Sequence, residues 1–173
     1  MQYVTYIIVG LIPAITAILI SYYFLKKSNE REFTTLSLNL RKESQKYYLE
    51  PRTEAYQRLV LLMERINPNN MVMRLKPDNK NATLFQAELL NNIRSEYDHN
   101  VAQQLFVSEK VWDMIKKSKE ETIKIINIAG QDLPSEATAF ELANKIFEIV
   151  SNLDELPTEI ATKALKKEFQ KQF

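Results

Sequence analysis

The chain has 173 residues and lacks several things that usually carry chemistry: it has no cysteine, two glycines and one histidine. Without a thiol there is no disulfide framework, no cysteine nucleophile and no thiolate metal site, which fits a reducing compartment. Gly10 and Gly130 stand far apart, so no glycine-rich loop exists to cradle a phosphate. Two glycines and six prolines leave few turn signals. Helix formers dominate and no stretch alternates as a strand does, so the expected fold class is all-α. A net charge of +1 argues against a general nucleic-acid binder.

Charge is missing from one end only. Residues 1–25 contain no Lys, Arg, Asp or Glu, and all 23 basic and 22 acidic residues lie from Lys26 onward. An apolar helix of 23 residues rises roughly 34 Å, enough for a hydrocarbon core of about 30 Å. Tyrosines flank it, and Lys26 and Lys27 follow at once. This pattern predicts an uncleaved transmembrane anchor over 1–25, with the lipid bilayer as a partner and the C-terminal side in the cytoplasm. Pro13 is expected to kink that helix. Gly10, Ala14 and Ala17 form a stripe of small residues where two spans would pack.

The remainder reads as a polar stalk or linker helix over 26–50, then a cytoplasmic antiparallel bundle of four to five helices over 51–173. Phe33, Leu36, Leu40 and Tyr47 fall near heptad spacing, but Glu43 and Glu50 interrupt it. Pro51 suits the first turn of a new helix, with Ala55, Leu59, Leu62, Met63 and Ile66 on its apolar face. Asn67-Pro68-Asn69-Asn70 stops it, and a long loop runs to Asn81. From there Phe85, Leu89, Ile93, Tyr97, Val101 and Leu105 recur every four residues. That step drifts about 40° against the helical turn, so the helix must change neighbours or bend near residues 98–100. Asn100, Gln103 and Gln104 are then expected to be partly buried. Ser108 and Ser135 are expected caps, and Gly130 an expected C′ residue. Ala139, Phe140, Ala143, Ile146, Phe147 and Val150 form an amphipathic face, and a last helix restarts at Leu156-Pro157 and runs to about Gln170.

The segments EAYQRLVLLMERINP, IRSEYDHNVAQQLFVS and VWDMIKKSKEETIKIIN together resemble an uncharacterised bacterial family of single-span proteins with a helical cytoplasmic domain. Its pattern is QAYERL, then ERIxP, then IRxEFEHN with QQLYVS and a tryptophan. Gln57, Tyr97, Asp98 and Phe106 depart from that pattern conservatively. The resemblance implies the bacterial inner membrane, with the N-terminus out and the helical domain cytoplasmic. It implies no activity.

Glu96 and His99 are the one candidate metal pair, since i, i+3 places them on one helical side and Glu64 or Glu88 would complete a ligand set. The preferred reading is a hydrogen-bonded seam between helices, in which they satisfy neighbouring polar groups. Ser95, Asp98 and His99 make no triad, because adjacent helical positions point about 100° apart. Trp112, Tyr97 and Phe106 are expected to pack rather than to line a pocket. Lys163, Lys166, Lys167 and Lys171 form a basic face suited either to solvent or to an anionic surface. These features predict a non-enzymatic scaffold or adaptor acting on a protein partner or on itself, with no cofactor and no nucleic acid. The alternatives are a metal-dependent enzyme or sensor at Glu96 and His99, and a membrane-surface sensor through the last helix.

Overall fold

The structure is a computed structural model of the whole chain. It describes residues 15–28, 30, 32, 35–43, 47, 49–78, 80–131 and 133–171. The elements are α1 (Gln2–Ile66), α2 (Pro68–Leu75), α3 (Ala82–Asn100), a 3₁₀ segment (Val101–Phe106), α4 (Glu109–Gln131), α5 (Ala139–Ser151) and α6 (Pro157–Gln170). Among the described residues the protein is all-helical. It divides into two compact units, Met1–Glu50 and Pro51–Phe173.

The expected transmembrane anchor, and with it the inner-membrane location, is overturned. Among the described residues no helix is long and apolar enough to cross a membrane. Tyr3, Tyr6, Gly10, Pro13, Ala14 and Phe33 lie outside the described residues, so of the small-residue stripe only Ala17 is described, and it is exposed. Helix α1 continues through Pro51 instead of restarting there. An interior proline forfeits only its own N–H bond and its local fit, which a long helix can absorb.

In the second unit, Ala55, Leu59, Leu62, Met63 and Ile66 of α1 are buried as their spacing predicts. The expected loop after Asn67 begins with helix α2. Asn67 both ends one helix and caps the next: its side-chain amide oxygen Oδ1 accepts the N–H groups of Asn69 (3.0 Å) and Asn70 (3.4 Å), and Pro68 occupies the first turn. Met71 and Val72 anchor α2 in the core. Lys76 closes it with a φ of 51°.

Helices α3 and α5 begin side by side. Ala82 N–H donates to Ala137 (2.8 Å) and Ala139 N–H to Lys80 (3.0 Å), joining Asn81 and Thr138 in an isolated bridge. Thr138, not Ser135, caps α5. Its hydroxyl accepts the Glu141 N–H (3.3 Å), while the Glu141 carboxylate accepts the Thr138 N–H (2.7 Å). That backbone bond holds the Glu141 carboxyl below its ordinary value. Phe140 points out, whereas Leu142, Ala143, Ile146 and Val150 are buried.

Helix α4 packs broadly against α6, and also against α3 and α5. Ser118 and Thr122 of α4 and Thr158 and Thr162 of α6 are all buried. Small side chains allow close helix approach, and each inner threonine satisfies its hydroxyl on its own helix: Thr122 on the Ser118 carbonyl and Thr162 on the Thr158 carbonyl, both at 2.8 Å.

The four-residue stripe of α3 ends where the backbone changes form. After Asn100 the chain tightens into the 3₁₀ segment, and Val101 and Leu105, expected inside, are exposed, Leu105 by 82%. Gln104 is exposed as well, while Asn100 and Gln103 are half-buried. Gly130 lies within α4 and has no positive φ, so it is not a C′ residue. A Cβ there would meet the Gln86 amide at 2.6–2.8 Å, so a larger residue requires that side-chain end to shift.

Candidate functional site

Residues 53, 57 and 61 and residues 56, 60 and 64 form two adjacent rows of four-residue steps along α1, so they share a side of the helix. The same holds for Leu165, Lys166 and Phe169 of α6. These two strips border a cleft of about 440 Å³ in the second unit. Its floor is apolar: Tyr56 and Leu165 are buried, Val60 is half-buried, and the rings of Tyr56 and Phe169 meet at 5.3 Å. Leu61 stands on the α1 lip, 55% exposed. A smaller polar cleft of about 320 Å³ adjoins it, with Asn67, Thr158, Thr162 and Lys163 on its walls. Glu64 and Lys166 belong to both clefts, so the two form one groove between α1 and α6. Asn67 donates to the Thr158 hydroxyl across the polar end, at 3.2 Å.

Glu168 clamps the other end. Its carboxylate accepts the Tyr56 hydroxyl (2.7 Å), the Ser108 N–H (2.9 Å) and the Ser108 hydroxyl, so α6 is tied to α1 and to the start of α4. Arg52 donates to the Phe106 carbonyl nearby, at 3.2 Å. Burial alone would push the Glu168 carboxyl up. The bonds from Ser108 and Tyr56, with the charge of Arg52, outweigh it and hold the group below the ordinary carboxylate value. A carboxylate at the first turn of α4 also complements the helix dipole.

The candidate metal ligands are each engaged separately. Glu96 pairs with Arg65 at 2.8 Å, joining α3 to α1. His99 is exposed and turns back on its own helix, with Nδ1 at 2.6 Å from the Ser95 carbonyl. That short contact places the imidazole proton on Nδ1. The Ser95 hydroxyl, 3.4 Å from the same nitrogen, therefore has no base there. Glu88 pairs with Lys80 at 2.5 Å, and Glu64 accepts the Asn70 amide at 3.1 Å. Among the described residues no three His, Cys, Asp or Glu side chains come together as a metal site. Of the expected seam only the Glu96–Arg65 pair joins two helices; the Asn100 amide donates to the Glu96 carbonyl and His99 to the Ser95 carbonyl, both one turn back on α3.

Tyr97 and Trp112 stack at 5.5 Å, and the Lys119 ammonium caps Tyr97 at 4.3 Å. These rings are packed on one another. The apolar side of α6 is buried through Ala161, Thr162 and Leu165, leaving Lys163, Lys166, Lys167 and Lys171 exposed. Lys163 pairs with Glu155 at 2.6 Å, and that hydrogen bond raises its pKa. Sequence reasoning missed both the groove and the Glu168 clamp. The exposed Leu61, next to the predicted apolar face of α1, was the available signal for the groove.

The geometry defines an all-helical bundle protein with a surface groove. The chain belongs to the DUF7935 family, a family of unknown function, whose model matches residues 2–172. That agrees with the resemblance to an uncharacterised family; it bears on neither a bacterial source nor a membrane span. No curated protein and no solved structure matches the chain.

Proposed function

We propose that the protein is a non-enzymatic scaffold that works by associating with copies of itself. One observation carries this reading. The apolar side chains described in residues 15–25 are exposed on all sides of α1, Phe24 by 73%, and Leu36, Leu38, Leu40 and Tyr47 are exposed beyond them. A helix that is apolar all round is unfavourable in water and gains by burying that surface on other helices. An isolated helix also draws little stability from its own backbone. A compact bundle attached to such a helix is the form expected of a subunit in a larger assembly. No specific observation favours the alternative of metal chemistry at Glu96 and His99.

The chain has no native cysteine, so single cysteines report contacts between copies without background. Full-length chains carrying Ile18→Cys or Leu19→Cys are expected to form disulfide-linked dimers under mild oxidation, and the unmodified chain to sediment above monomer mass. A chain that sediments as a monomer at every concentration, with no crosslink at either position, refutes the proposal.

A further inference from the structure

We infer that the groove between α1 and α6 is a two-fold interface that receives a second copy of the chain. The inference rests on the self-association reading above and assigns it a surface distinct from residues 15–25. Its first support is shape. Leu61 is an exposed apolar knob on the lip of an apolar cleft, 55% exposed beside Val60, Leu165 and Phe169. Across a two-fold axis the same patch meets itself. Leu61 of one copy then enters the cleft of the other, and the second Leu61 enters the first cleft.

The second support is charge. Glu64 lies on the α1 wall and Lys166 on the α6 wall of the same cleft, yet no ion pair joins them. Lys166 has no hydrogen bond or ion pair among the described residues. Glu64 is held by the Asn70 amide through one carboxylate oxygen, which leaves the other open. In a two-fold pair, Glu64 of each copy faces Lys166 of the other, giving two equivalent ion pairs at the rim. An occupant carrying charge of one sign would leave either Glu64 or Lys166 opposed by a like charge. A second copy matches both, and rim charges of this kind fix register and partner choice.

The test uses full-length chains with Gln57→Cys, an exposed position on the same α1 wall that leaves Leu61 in place, and a short thiol crosslinker. Four backgrounds are compared: native, Glu64→Lys, Lys166→Glu, and both reversals together. A single reversal places two like-charge contacts in the two-fold pair, because each substitution occurs in both copies. The crosslinked yield is expected to need about tenfold more protein in either single reversal and to recover in the double reversal. Equal yields in all four backgrounds overturn the inference, as does a double reversal no better than the singles. If the chain still sediments above monomer mass in those cases, the scaffold reading stands and only this surface is wrong. A monomer in every background removes both.

Discussion

Replacing Glu168 by alanine tests whether one side chain joins three parts of the bundle. The substitution removes a bond from the Tyr56 hydroxyl and two bonds from Ser108. A net hydrogen bond contributes about 0.5–1.5 kcal/mol. Tyr56 is buried, so the loss of its bond to Glu168 costs near the middle of that range. Ser108 is exposed and water replaces its partner, so its two bonds count near the bottom. The sum is about 2 kcal/mol for Glu168→Ala, and about half of that for Glu168→Gln, which keeps an acceptor and loses the charge. Urea unfolding followed by the single tryptophan, Trp112, reads this directly; the midpoint should fall with an unchanged slope. The carboxyl is held below its ordinary value in the folded protein, so its charge contributes fully above the unfolded-state value, near 4.3, and the contribution fades as pH falls through the lower folded value. The gap between the native chain and Glu168→Gln should therefore be widest at neutral pH and close in acid. A Glu168→Ala chain within about 0.5 kcal/mol of native at pH 7 would show that the clamp contributes little to stability, and the reasoning would fail.

Gly130→Ala gains helix propensity of about 1 kcal/mol but forces the Gln86 amide aside, breaking its 3.1 Å bond to Asn127. The two effects should nearly cancel in the native chain, whereas in a Gln86→Ala background the same change should stabilise by about 1 kcal/mol in urea titrations. Asn67→Ala removes two capping bonds and the contact with Thr158, and should cost about 2 kcal/mol by the same assay. His99→Ala should change stability by less than about 0.5 kcal/mol, because the ring is exposed and bonded only within its own helix. Elemental analysis of untagged protein, with and without that substitution, should give the same metal content; stoichiometric metal lost with His99 would contradict the separate engagement of Glu96 and His99.

Helix faces were legible where apolar residues recur at three- and four-residue steps and nothing else competes. Leu59, Leu62, Met63 and Ile66 in α1, and Ile146 and Val150 in α5, are buried as their spacing implies. Helix α2 escaped notice because its eight residues are too few to show a period, and contacts of Met71 and Val72 with the core hold it in place. Val101 and Leu105 misled because the apolar spacing continued after the backbone had changed to 3₁₀ geometry. The membrane anchor misled differently: absence of charge over residues 1–25 was taken for a span, whereas among the described residues no helix is long and apolar enough to cross a membrane.

What the sequence by itself determined was local: the helical class, most of the buried faces, and the lack of thiol and glycine-rich chemistry. It also carried the likeness to an uncharacterised family. Only the tertiary structure decided which polar groups meet. Tyr56 and Glu168 are 112 positions apart, Asn67 and Thr158 are 91 apart, and the groove exists because α6 lies along α1. Helical periodicity relates a residue to neighbours one turn away, and so it specifies a face without naming the partner that covers it.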